Sequence, residues 1–413
     1  MSAAQTGSIA DIHGTQGFGL NNLPYGSFDA GAGFRPGVRI GDSVVDLRAA
    51  LAGHPRVSDA LRVALDTPSL DGILAAGHLV WAELRELVTV LLGETPVDDR
   101  LSKTVHAIAS VRIGMPFTVS DYVDFYTSEQ HALRVAEIFQ PERPELSRAW
   151  KHLPIGYHGR SATVVASGTD VVRPKGLRLD GSAATFGPTR QLDFEAEVGF
   201  VVGTTDAVSE VSLEDASRHI FGVVLLNDWS ARDIQMFESA PLGPHLGKSF
   251  ATAISPWVVP IAALENARVQ PPTRDTPLAP YLDDRGMQPW GFDLRLAVEL
   301  NGEVISRPPF STQYWTAVQM LAHMTVNGAI LRSGGLFGSG TVSGERRDQR
   351  GCLLELTWNG TDPLPLADGT TISYLADGDE VRITATAPGA GGSTISLGEV
   401  TGWISPATAM KPV

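Results

Sequence analysis

Leu192-Asp-Phe-Glu-Ala-Glu-Val-Gly-Phe200 alternates strictly between apolar and acidic side chains. In an extended chain Leu192, Phe194, Ala196 and Val198 line one face, while Asp193, Glu195 and Glu197 line the other. Such alternation marks a strand, and its ordinary meaning is a solvated acidic face. Three neighbouring like charges nevertheless disfavour a strand face unless something neutralises them. Nearby, Val223-Val-Leu-Leu-Asn-Asp228 reads as a buried strand that ends in a charge. A further carboxylate lies in Asp121-Tyr-Val-Asp-Phe-Tyr126, where spacing alone leaves Asp121 and Asp124 as equal candidates, either of which would also suit a turn or a helix cap. Buried carboxylates are costly unless paired, so several together call for a positive centre. An all-oxygen donor set favours Ca²⁺ or Mg²⁺, or alternatively Mn²⁺, over zinc.

Turn signals spread this β character over most of the chain. Phe292-Asp-Leu-Arg-Leu-Ala-Val-Glu-Leu300 alternates and runs into Asn301-Gly302, which predicts a strand entering a tight hairpin. Asn359-Gly360 after Leu353-Leu-Glu-Leu-Thr-Trp358 predicts a second one. Helices are expected from about Ser128 and from about Thr312 to Met324. The opening third combines a hairpin at Gly37-Val-Arg-Ile-Gly-Asp-Ser-Val-Val45 with helical periodicity from about Val57 to Leu92. A Gly/Pro break at Gly114-Met-Pro-Phe-Thr-Val-Ser120 places a boundary at about 118, dividing a small mixed domain, 1–118, from a larger β-dominated one, 119–413. A chain of 413 residues is long enough for both. The 43 glycines exceed the usual share of about 7% and fit turns and strands better than helices.

A net charge of −14 argues against nucleic acid and anionic membranes as partners, yet leaves a local cationic cleft for an anionic substrate possible. One cysteine, Cys352, excludes an internal disulfide and a Cys-rich zinc site, and reads as a small buried hydrophobe. The first residues, Met-Ser-Ala-Ala-Gln-Thr-Gly-Ser, carry neither a basic nor an apolar leader segment, and a cytoplasmic protein is expected.

Thr127-Ser-Glu-Gln130 has the pattern of a capping box and sets His131 in the first turns of a helix, where the dipole favours a neutral imidazole. A neutral histidine near a cation can act as a general base on water. His158-Gly-Arg160 and Trp229-Ser-Ala-Arg232-Asp-Ile-Gln235 add donors suited to carboxylate or enolate oxygens, although structural ion pairs explain such arginines equally well. Gly338-Ser-Gly-Thr-Val-Ser-Gly344 is a loop whose backbone N–H groups can approach a ligand, but it lacks the lysine of a phosphate-binding loop. Gly31-Ala-Gly33-Phe-Arg-Pro-Gly37 reads as a turn rather than a dinucleotide site. Gly247-Lys-Ser-Phe-Ala251 falls short of a nucleophile elbow, and its Lys248 suits charge neutralisation instead.

These motifs resemble the fumarylacetoacetate hydrolase family over nearly the whole chain. The similarity runs from Asn22-Leu-Pro-Tyr-Gly through Asp121–Ala132, Leu153-Pro-Ile-Gly-Tyr-His-Gly-Arg160, Asn227–Gln235 and Leu242-Gly-Pro-His-Leu-Gly-Lys-Ser-Phe250 to Gly338–Gly344. The resemblance implies a small SH3-like barrel domain followed by a β-roll catalytic domain, and a homodimer. It implies that Asp124 joins Glu195, Glu197 and Asp228 around Ca²⁺ or Mg²⁺, with a neighbouring magnesium position at Asp228, Lys248 and Thr252. His131 is then the base, oriented by Glu355; Arg232, Gln235 and Lys248 surround the oxyanion; Tyr126, Tyr157, Gly340 and Thr341 contact substrate. The implied reaction is hydrolysis of a carbon–carbon bond in a β-diketo acid, fumarylacetoacetate, at the end of tyrosine and phenylalanine breakdown. Two positions depart from the family pattern: Gln140 stands where an arginine is frequent, with Arg143 nearby, and Ser239 where a tyrosine is frequent. They keep open another acylpyruvate-like acid as substrate, for hydrolysis or decarboxylation. A noncatalytic metal-binding assembly protein is the third reading, and it has no use for His131 and Glu355.

Overall fold

The computed structural model describes residues 7–13 and 17–409; residues 1–6, most of the stretch read above for a leader, lie outside it. The alternating segment forms strand Ala196–Val202, preceded by the short strand Leu192–Asp193. Ile220–Asp228 and Gly335–Gly338 flank Ala196–Val202, both antiparallel to it. Asp121–Phe125 runs parallel to Gly335–Gly338 and is followed by Gly156–His158, while Thr252–Ile254 and Val164–Ala166 extend the other side of the sheet.

Both faces of this sheet are buried, and side-chain period two assigns each site residue that a strand carries to one of them. Val123, Phe125, Val198, Phe200, Val223, Leu225, Ala253 and Phe337 point into one core. Tyr122, Val201, Val224, Leu226, Ile254 and Leu336 point into the other. Asp124, Glu197, Asp228 and Thr252 share the parity of the second set. Because Ala196–Val202 is antiparallel to both its neighbours, its start lies beside the ends of Ile220–Asp228 and Gly335–Gly338, as in the pairs Ala196↔Asn227 and Gly199↔Gly338, and the parallel strand Asp121–Phe125 sets Asp124 beside Gly338. The carboxylates therefore meet at one edge of one face.

A five-stranded sheet, ordered Glu303–Ser306, Arg295–Leu300, Glu380–Pro388, Thr394–Ser405, Val171–Val172, contributes Leu296, Val298, Ile383 and Val400 to the first core. The N-terminal part contributes the second. Its antiparallel sheet runs Val105–Ala107, Ser43–Asp46, Arg35–Ile40, Tyr25–Asp29, Arg112–Ile113, and the hairpin expected at Gly37–Val45 is its centre. The helical stretch is two helices, Asp59–Ala64 and Asp71–Gly93, the longer broken at Gly77, whose φ is 78°. The molecule is β-dominated with few helices, as the sequence predicts.

Two local expectations need correction, and one helix was not expected. Asn301-Gly302 makes its hairpin, with φ of 50° and 83°. Leu353–Leu356 is instead a short helix, and Asn359-Gly360 ends it rather than turning a hairpin. The physical cause is Asp193, whose carboxylate accepts the N–H groups of Leu353 and Leu354 at 2.7 and 2.9 Å and caps the helix from a distant strand. The helix expected from Thr312 begins at Ala317, because Thr316 and Gln319 form its capping box. Arg232–Glu238 is a further helix, which sequence periodicity was too short to reveal.

Candidate active site

Asp124, Glu195, Glu197 and Asp228 are all buried and offer oxygen atoms that lie within 4.8 Å of one another. Asp121 is exposed and turned to its own strand, with Oδ1 accepting the Tyr122 N–H, so the structure separates the two aspartates that spacing could not. Glu195 sits just before strand Ala196–Val202 and reaches the group through its cationic partners. Lys248 Nζ donates to Glu195 Oε2 at 2.5 Å and to Asp228 Oδ2 at 2.7 Å. Arg232 donates from Nη1 to Glu195 Oε1 at 2.7 Å and from Nε to Asp193 Oδ2 at 2.9 Å. Asp193 thus faces its helix cap and Arg232, apart from the four-carboxylate cluster.

The electrostatics divide the carboxylates. Burial opposes ionisation of Glu195, but Lys248 and Arg232 hold its carboxyl well below the usual range. Among the described residues no cation bonds directly to Asp124 or Glu197, and Lys248 offsets their burial only in part. Burial first, and the adjacent carboxylates second, push both well above the usual range. Asp124 Oδ1 and Glu197 Oε1 are buried without a hydrogen-bond partner among the described residues. Gly338 lies between them: a Cβ there would stand 2.8 Å from Glu197 Oε2 and 3.2 Å from Asp124 Oδ1. Partnerless carboxylate oxygens around a space kept free of side chain fit a hard cation. At the neighbouring position, Thr252 Oγ1 donates to Asp228 Oδ1 at 2.9 Å, and the Lys248 ammonium already occupies Oδ2. Lys248 acts here as a donor and neutralising charge.

His131 lies in the first turn of helix Glu129–Phe139, whose N-cap is Ser128. Its Nδ1 is 2.8 Å from Glu355 Oε2. The short helix Leu353–Leu356 delivers Glu355, which explains how so polar a residue occupies an apolar run. Burial opposes its charge, yet contact with His131, then Ser343 and Arg134, hold its carboxyl down at about 2. Ser343 Oγ donates to Oε2 at 2.6 Å and Arg134 Nη1 to Oε1 at 2.9 Å. Arg134 also donates to the carbonyls of Gly344 and Glu345, tying the helix to the glycine-rich loop. Sequence reasoning overlooked Arg134 and Ser343; the i, i+3 spacing of His131 and Arg134 was the available signal. Cys352 is buried with its Sγ 3.3 Å from Glu355 Oε2, so it is more than a space-filling hydrophobe.

A cavity of about 540 Å³ joins these groups. Asp124, Glu195, His131, Arg232, Gln235, Lys248, Tyr126, Tyr157, Gly340 and Thr341 all line it. Glu197, Asp228 and Glu355 lie behind that wall, and Thr252 lines an adjoining cavity. Gly340 has φ of 74° and donates its N–H to Glu197 Oε2 at 3.1 Å. Ser239 is on the cavity wall; Gln140 and Arg143 are not, and Arg143 pairs with Glu145 on the surface.

A buried carboxylate cluster suited to a metal, a His–Glu pair and two cationic donors opening into one cavity define a metal-binding hydrolase. Residues 21–116 match the family model for the fumarylacetoacetase N-terminal part, and residues 122–400 the model for the fumarylacetoacetate hydrolase C-terminal part. The chain belongs to the fumarylacetoacetate hydrolase family. It is 40% identical over 418 residues to fumarylacetoacetase of Arabidopsis thaliana, across 97% of this chain and 98% of that protein. It is 41% identical over 409 residues to fumarylacetoacetase of Homo sapiens, across 94% and 96%. Among solved structures, a fumarylacetoacetate hydrolase of Exiguobacterium antarcticum matches at a TM-score of 0.54 with 17% identity, over 93% of this chain and 99% of that one. A maleylpyruvate hydrolase of Sphingobium in complex with manganese(II) and pyruvate matches at 0.52 with 15% identity, over 94% and 100%. These two establish likeness of fold.

Proposed function

We propose that the protein hydrolyses fumarylacetoacetate to fumarate and acetoacetate. The observation that carries this reading is the His131–Glu355 pair opening into the same cavity as the carboxylate cluster, in a chain about two-fifths identical to fumarylacetoacetases over nearly its full length. With its Nδ1–H donated to Glu355, His131 presents a lone pair on Nε2. That atom takes a proton from water as the oxygen adds to the ketone carbonyl carbon of the fumaryl group. Arg232, whose Nη2 has no partner among the described residues, stabilises the resulting alkoxide together with Gln235 and Lys248. Collapse breaks the carbon–carbon bond, leaving fumarate with the water oxygen; the enolate of acetoacetate takes back the proton held by His131. Asp124, Glu195, Glu197 and Asp228 would hold a divalent cation, which supplies Lewis acidity to the diketone and charge stabilisation to the enolate.

The reading includes Ca²⁺ or Mg²⁺ in that site, with Mn²⁺ as the alternative, supported by the all-oxygen donors. It includes a division at about residue 118 between an SH3-like domain and the catalytic β-roll, for which the gap between the two family matches speaks. It also includes a cytoplasmic homodimer at the end of tyrosine and phenylalanine degradation. Exposed Leu177, Leu179 and Phe186 on the hairpin of Lys175–Asp180 and Ala183–Pro188 support self-association. No helix among the described residues is long and apolar enough to cross a membrane.

The test is turnover of fumarylacetoacetate and shorter acylpyruvates with each cation, followed by loss of diketone absorbance and product identification. His131→Ala should lower kcat by about 10²- to 10⁴-fold without changing cation affinity. Activity confined to a short acylpyruvate would replace the assigned substrate, and an active His131→Ala enzyme would remove the base.

A further inference from the structure

Beside the main cavity lies a second one of about 340 Å³, and the two share Tyr157, Pro244 and Lys248. Its rim carries His158, Arg160 and His245. Asp228 at its floor is the only carboxylate among the lining residues, and both of its oxygens are engaged, by Thr252 and Lys248. The Arg160 guanidinium makes no ion pair or hydrogen bond among the described residues, and neither does the His245 ring. That is notable in a chain with 46 acidic against 32 basic residues, where an arginine finds a carboxylate easily. Lys248 has three N–H donors and uses two on Glu195 and Asp228, leaving one for a ligand.

The main cavity lacks what this one offers. Its cations are Arg232 and Lys248, both bonded to carboxylates and assigned above to the alkoxide, and much of the remaining wall is apolar, with Phe125, Val135, Phe139, Met236 and Leu242. A diacid reacting beside Lys248 therefore meets an apolar cavity on one side and an unpaired guanidinium on the other. We propose that the second cavity binds one carboxylate of the diacid substrate, with Arg160 as its counter-ion and His245 beside it. This assigns a role to the His-Gly-Arg motif that the chemistry at His131 leaves unused, and it makes Arg160 a determinant of specificity for acids charged at both ends. It rests on the diacid substrate proposed above.

The experiment compares wild type, Arg160→Gln and Arg160→Lys on fumarylacetoacetate and on two monoacid analogues, each with one carboxylate replaced by methyl. Arg160→Gln should raise KM for the diacid about tenfold or more, the size of one lost charge-assisted hydrogen bond, with kcat nearly unchanged. The same KM rise should appear with one monoacid and be absent with the other, and Arg160→Lys should recover part of the loss. Cation affinity, measured by calorimetry, should be unchanged in both variants. An unchanged KM for the diacid, an equal rise with both monoacids, or altered cation affinity would overturn the proposal. If wild type itself ignores fumarylacetoacetate, the parent reading fails first, and that result is distinct from a silent Arg160→Gln.

Discussion

Glu355 shows how much one buried charge depends on its neighbours. It is fully buried and accepts hydrogen bonds from His131, Ser343 and Arg134. Replacing it by glutamine keeps the shape but removes the charge that orients His131 and stabilises the imidazolium formed during proton transfer. Glu355→Gln should cut kcat by about 10²- to 10⁴-fold while KM stays nearly constant, as steady-state kinetics will show. Arg134→Met tests the other half of the arrangement. It strands Glu355 without its permanent cation and frees the carbonyls of Gly344 and Glu345, so urea unfolding should show a loss of about 3–5 kcal/mol, the usual size for a broken buried pair. A stable, fully active Arg134→Met protein would mean that His131 and Ser343 alone hold the carboxylate.

At the scale of elements, the site depends on two backbone features of the glycine-rich loop. Gly340 requires a left-handed φ of 74°, and a Cβ there would stand 2.1 Å from the Phe125 carbonyl. Gly338 is extended, but its missing side chain leaves the gap between Asp124 and Glu197. Gly338→Ala should therefore weaken divalent-cation binding in titration calorimetry by about tenfold or more, as one displaced ligand costs about 1–3 kcal/mol, with far-UV circular dichroism unchanged. Equal affinity would place the cation elsewhere. Both glycines stand in a motif that the sequence marks as a ligand-approaching loop, and the strands bearing Glu197, Asp228 and Asp124 are equally legible from period-two patterning. Leu353–Leu356 was not legible, because its cap comes from Asp193, more than a hundred residues away. The same non-locality hid the roles of Arg134 and Ser343, which depend on where that short helix brings Glu355. Asp121 and Asp124 illustrate the limit from the other side: three residues apart on one strand, they have opposite parity, and only knowing which face carries the site selects between them.

Over the whole molecule, the N-terminal sheet and helices cover the same face of the central sheet that carries the carboxylates at its edge. Their shared core includes Tyr25, Val38, Leu74 and Leu84 from one side and Val201, Val224 and Leu226 from the other. That continuous apolar packing offsets the cost of gathering acids, and the offset depends on pH. In the absence of a cation, burial and neighbouring carboxylates raise Asp124 and Glu197 well above their ordinary values of 3.8 and 4.5. An acid that binds its proton more tightly when folded favours the native state at low pH. Its contribution is lost as pH rises from the unfolded value through the raised one. Glu355 works in the opposite sense: lowered from 4.5 to about 2, it contributes stability above 4.5 that is lost as pH falls toward 2. A bound divalent cation removes the first penalty and leaves the second effect in place. The thermal-shift gain on adding Ca²⁺, Mg²⁺ or Mn²⁺ to chelator-treated protein should therefore grow as pH is raised above the ordinary carboxylate values of 3.8 and 4.5, read by scanning calorimetry in matched buffers. A gain that is flat across this range would mean that Asp124 and Glu197 are already neutralised within the protein, and that the cation is not what holds the cluster together.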